Sequence, residues 1–133
     1  MALPLSKQRI KLLYKFFLCC LSLICLLCGC VYWLCLLGFF QRRGWSWQQL
    51  SISWQILCVV LAAAYPLASC GLWLQANWGV LIWLFCCVGE AIGFTYGYAD
   101  FSWVAFHLFF IFLFLFFQAI RFKFVRVFSI FVR

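Results

Sequence analysis

Charge is missing from two long stretches of this chain, and that absence restricts the fold more than any motif does. Phe16 to Phe40 is a run of 25 residues without a charged side chain, enough to cross a hydrocarbon core of about 30 Å as a helix rising about 1.5 Å per residue. Between Arg43 and Glu90 lie 46 further uncharged residues. As one helix they would reach roughly 69 Å, more than one bilayer needs, so they read as two spans. The break falls at Gln75-Ala76-Asn77, between Trp73 and Trp78, because tryptophan favours the interface of lipid and water. A fourth apolar run ends against Arg121. The expected spans are 16–40, 54–74, 78–98 and 101–120, followed by a basic tail over 121–133, all within one domain of residues 1–133.

The whole composition agrees with that reading. The chain is 70% hydrophobic, only 9% of it is charged, and its mean hydropathy is +1.15. Soluble domains carry about 25% charged residues. The expected fold class is therefore an all-α membrane protein of four transmembrane helices in a compact bundle. Such a length leaves no room for a soluble catalytic domain beside the spans. The sequence contains no nucleophile elbow, phosphate-cradling glycine loop, paired carboxylates or H-E-x-x-H helix, so the expectation is a protein that is not an enzyme.

Basic residues set the expected orientation. Lys7, Arg9, Lys11 and Lys15 precede the first span, Arg121, Lys123, Arg126 and Arg133 follow the fourth, and only Arg42 and Arg43 lie in a connection. Four spans return both termini to one side, which the positive-inside rule makes cytoplasmic. The net charge of +8 does not point to nucleic acid. Lys7, Lys11 and Lys15, spaced at i, i+4 and i+8, share one helical face and repel each other unless an anionic surface lies beneath. Drawn as a helix, the tail gathers Lys123, Arg126 and Arg133 opposite Phe124, Val127, Phe128 and Phe131, the pattern of a helix in the membrane interface. Anionic lipid headgroups are the expected partner of both segments, whose simpler role is to determine topology.

Residues 1–30 end in L-C-G-C and resemble a lipoprotein signal, yet the apolar run continues past Cys30, so an uncleaved first span is expected. The ten cysteines all fall inside expected spans, and Cys25 and Cys28 form a C-x-x-C. No histidine or second C-x-x-C accompanies that pair at ligand spacing, and a thiol in lipid packs as a small hydrophobe. No metal or cofactor is expected. A haem in a bundle takes two axial ligands, and the chain has one histidine.

Stripes of small and polar residues mark the faces that should turn inward: Ser22, Cys25, Gly29 and Tyr32; Gln55, Cys58, Ala62, Tyr65 and Ser69; Cys86, Glu90, Gly93 and Gly97. In lipid, small residues let helices approach and polar ones bond between them. Gly89, Gly93 and Gly97 form a double G-x-x-x-G, a helix-packing signal usable within the chain or between copies. In the fourth span the inner face is assigned to His107 and Gln118.

Glu90 is one of two acidic residues, and a carboxylate within a span needs a partner. If spans three and four turn at Gly97 to Asp100, Glu90 and His107 sit at matching depth, roughly 13 Å below the outer interface. Tyr32 and Tyr65 complete the candidate polar site. Two roles stay open for it: a proton relay, or a structural bond that fixes the helix hairpin.

The residues Gly71-Leu72-Trp73, Trp78-Gly79, Trp83 and Glu90 give a pattern that resembles small uncharacterised four-helix bacterial membrane proteins of a domain of unknown function. The resemblance implies a multi-pass protein of the bacterial inner membrane and brings no activity with it. The leading expectation is a non-enzymatic accessory protein that packs against a larger membrane-protein partner or against copies of itself. The alternative is a transporter or proton-coupled channel component that uses Glu90 and His107.

Overall fold

A computed structural model describes residues 5–39, 48, 50–96 and 101–131, with side chains described for 8–39, 48, 50–96, 102 and 104–122. It is all-helical: α1 (Leu5–Leu36), α2 (Ile52–Trp73), α3 (Asn77–Thr95) and α4 (Phe101–Phe131). Within these helices, Gln8–Leu36, Ile52–Trp73, Asn77–Thr95 and Val104–Phe122 are long and apolar enough to cross a membrane.

Consecutive helices run antiparallel. Ser22 of α1 donates its hydroxyl to the Ser69 carbonyl of α2 at 2.8 Å, while farther along α1 Gly29 faces Pro66. On the other side of α2, Gly71 meets Gly79 of α3 and Trp54 meets Gly93. Helix α4 then lies against both α1 and α3: Phe110 and Phe117 against Phe17, and Phe114 against Trp83. The start of α1 and the later part of α4 are thus side by side.

Local chemistry explains where two helices stop. The expected span reaches Phe40, but α1 ends at Leu36 because Gly38 adopts a left-handed φ of 77°. Its N–H bonds to Cys35 O and the Phe39 N–H to Leu34 O, the paired bonds of a Schellman stop that glycine supports without a Cβ clash. Helix α2 ends the same way with Gln75 at φ 57°, its N–H bonding to Leu72 O and that of Ala76 to Gly71 O. The expected turn at Gln75-Ala76-Asn77 lies there. At the other end of α2, the Ser51 hydroxyl caps the Trp54 N–H.

At the charged ends the helices extend beyond the expected spans, through segments the sequence reading also drew as helical. Helix α1 begins at Leu5, and α4 runs on past Arg121 to Phe131 as one helix, without a break before the basic tail. Lys and Arg are good helix formers, so a change from apolar to basic composition ends a span without ending a helix. The side chains of Lys7, Lys123 and Arg126 lie outside the described set, as does Arg133.

The inner faces repeat every three or four residues, as packed helices require. Leu18, Leu21, Cys25 and Cys28 of α1 join Leu61, Tyr65, Ala68 and Leu72 of α2 and Trp83, Cys86 and Cys87 of α3 in one core. Helix α4 is different. Among its described side chains His107 alone is buried, while Leu108, Phe109, Phe112, Leu115 and Phe116 point away from the other helices.

Candidate functional site

All four helices meet at Glu90. The third helix carries it on the inward stripe with Trp83, Cys86 and Gly93, and it is 3% exposed. Tyr32 of α1 donates to its Oε1 at 2.9 Å, and Tyr65 of α2 donates to the same oxygen at 2.6 Å. His107 of α4 pairs through Nε2 with Oε2. Both hydroxyl donors thus converge on Oε1, while Oε2 faces the imidazole and accepts no hydrogen bond among the described residues.

Proton placement follows from that geometry. The Tyr65 hydroxyl uses its hydrogen on Glu90, so its 3.3 Å contact with His107 Nε2 requires the hydrogen to sit on the nitrogen. Glu90 Oε2 faces the same nitrogen as its ion-pair neighbour. On the far side of the ring, Nδ1 lies 3.7 Å from the Cys87 thiol, which donates to a neutral imidazole and accepts from an imidazolium. The rings are fixed by one another: Tyr32 stacks on Tyr65 at 5.7 Å between centroids and Tyr65 on His107 at 6.4 Å.

The structure therefore brings together Glu90, His107, Tyr32 and Tyr65, the four residues of the candidate polar site. It adds Cys87, which the sequence reading counted only as a packing thiol. Cys87 precedes Glu90 by three residues, one helical turn, and that spacing was the available signal. Among the described residues no three His, Cys, Asp or Glu side chains converge in a metal-holding geometry.

Two glycines of the expected packing series lie against a neighbouring helix. A Cβ at Gly93 would run into the Trp54 indole of α2, and one at Gly89 would meet Leu61 Cδ2 at 3.3 Å; Gly97 lies outside the described residues. Both glycines thus serve the α2 seam, a use within the chain. The closest helix approach occurs elsewhere, at Gly71 and Gly79. There a Cβ on Gly71 would lie 2.6 Å from Trp78 Cζ3, and one on Gly79 2.6 Å from the Gly71 Cα.

The Gly71-Leu72-Trp73, Trp78-Gly79, Trp83 and Glu90 pattern is thus distributed between that close hairpin and the polar centre. A family model described as a family of unknown function, DUF6163, matches residues 12–126. The chain belongs to this family. The DUF6163 match covers α2 and α3 entirely, most of α1 and α4, and every residue of the Glu90 cluster. No curated protein and no solved structure matches the chain.

The two tyrosines should contribute unequally. Tyr65 is fully buried and makes the shorter bond, whereas Tyr32 is only partly buried. Bonds between transmembrane helices average about 0.6 kcal/mol and reach about 1.7 kcal/mol. Tyr65→Phe is expected near the upper figure and Tyr32→Phe near the mean, measured by reversible unfolding in mixed detergent micelles. A larger loss for Tyr32→Phe would contradict this ranking.

Proposed function

We propose that this member of DUF6163 is a small non-enzymatic protein of the bacterial inner membrane. Both termini are cytoplasmic, and the chain acts as an accessory subunit that packs against a larger membrane-protein partner or against copies of itself. The observation that carries this reading is α4. It gives one described side chain to the interior and leaves a wall of leucine and phenylalanine facing outward. Glu90, meanwhile, is touched by side chains from the other three helices, Tyr32, Tyr65 and His107, which suits a fastening role between helices.

The topology is supported by the eight-to-two division of basic residues and by the adjacency of Tyr14 and Arg121. Reporter fusions at Gly44 and after Arg133 test it; an outward-facing C-terminus overturns it.

A second reading, a proton-coupled transport component, is favoured by the buried Glu90–His107 pair, since ionisable residues within a membrane are functional candidates. Purification in mild detergent separates the two. The accessory reading expects one identified membrane protein, or a second copy of the chain, to copurify in fixed stoichiometry. A monomeric chain without companions that conducts protons into liposomes, and loses that flux in a stably folded Glu90→Gln variant, would replace it with the second.

A further inference from the structure

At the basic end of the bundle, α1 and α4 form a seam whose positive charge no described acidic side chain balances. Arg121 lays its guanidinium over the Tyr14 ring, with Cζ 4.7 Å from the centroid. The Gln118 amide, one turn earlier on α4, reaches the Tyr14 hydroxyl at 3.5 Å, and the Tyr14 ring packs edge-on against Phe117. Lys11 is three residues before Tyr14 and so lies on the same side of α1, and both Lys11 and Arg121 are exposed.

The chain has only two acidic side chains, Glu90 and Asp100. Glu90 is engaged by His107 at the polar centre. Asp100 lies outside the described residues. No described acidic side chain neutralises this seam. Stacking on tyrosine also holds the guanidinium beside the helix pair, where its N–H donors are preset for an anion instead of free to sweep through water.

We propose that the α1–α4 seam is a binding site for the phosphate of an anionic phospholipid. The phosphodiester is held by Arg121 and Lys11, with hydrogen bonds from the Tyr14 hydroxyl and the Gln118 amide. A guanidinium suits a phosphate oxygen pair geometrically, and Leu115, exposed on the same side of α4 one turn deeper than Gln118, offers apolar surface to an acyl chain. This site is narrower than a general attraction of a basic surface to an anionic leaflet, because it depends on a ring that carries no charge.

That dependence supplies the test. Full-length protein in zwitterionic detergent is mixed with equal amounts of phosphatidylglycerol and phosphatidylcholine, and the lipid retained is read by native mass spectrometry. The wild type is expected to retain phosphatidylglycerol selectively. Arg121→Gln should weaken that retention by about tenfold, the loss of a hydrogen-bonded charge. Tyr14→Leu, which removes the ring and leaves every charge in place, should weaken it as well. Arg9→Gln removes the same charge from a position about 140° round α1 from Tyr14 and should leave the preference intact. Equal losses from Arg9→Gln and Arg121→Gln, or an unchanged preference in folded Arg121→Gln protein, would overturn the proposal.

Discussion

His107→Ala is expected to destabilise the folded chain by about 3–5 kcal/mol, the cost of leaving a buried charge without its partner. The residue removed is the only buried described side chain of α4, so the loss should appear as release of α4 together with exposure of Glu90. Glu90→Gln should cost less, because the amide oxygen still accepts from Tyr32 and Tyr65, and the double variant should cost less than the sum of the two. A coupling of at least about 1 kcal/mol is expected between groups in contact. Unfolding of the four proteins in mixed micelles measures it, and strictly additive losses would show that the pair contributes nothing as a pair.

Gly79→Ala should be the most damaging of the glycine substitutions. The added Cβ would press on the Gly71 backbone and the Leu72 nitrogen, and backbone atoms within a helix cannot turn aside as a side chain can. Overpacking of this kind costs about 1–3 kcal/mol, and more where nothing yields. At Gly89 the nearest atom is the tip of Leu61, 3.3 Å away, which a small rotation relieves. Gly89→Ala is therefore expected to be close to neutral in the same unfolding measurement. Similar losses at both positions would mean that the contact between the α2 and α3 backbones is not what limits their approach.

The contrast between those two glycines shows what the sequence could disclose. The series Gly89, Gly93 and Gly97 was conspicuous because it is periodic, but period reports only which residues share a face. Which neighbour that face meets is a tertiary fact. Gly71 and Gly79 have no periodic relation to each other; they oppose because a turn at Gln75 folds α2 onto α3. The polar centre was legible for the opposite reason. A carboxylate in an apolar run demands a partner, the chain offers one histidine, and counting residues from a hairpin places the two at one depth. Tyr32 and Tyr65 followed from the same inward stripes.

Helix α4 was harder to read. It is apolar on every side, so hydropathy could not distinguish a helix buried among others from one laid against their surface, and His107 and Gln118 were the only guide to its inner face. The structure places His107 inside and Gln118 at the α1 seam, which agrees with that assignment. The basic tail was drawn as a helix from its face pattern, and α4 continues through it to Phe131; charge marks where an apolar span ends, not where a helix does.

The manner in which α4 is seated bears on how the chain is made. Synthesis delivers α1, α2 and α3 first, and the contacts among these three, from Ser22 with Ser69 to Gly71 with Gly79, need nothing that follows. Until residue 107 is delivered, the nascent three-helix unit holds an acid among apolar helices with two hydroxyls and no base. Docking of the last helix supplies the base. A chain truncated before that point would keep most of its interior yet display an unmatched carboxyl to lipid, so the same pair that fastens α4 also distinguishes a finished molecule from an unfinished one.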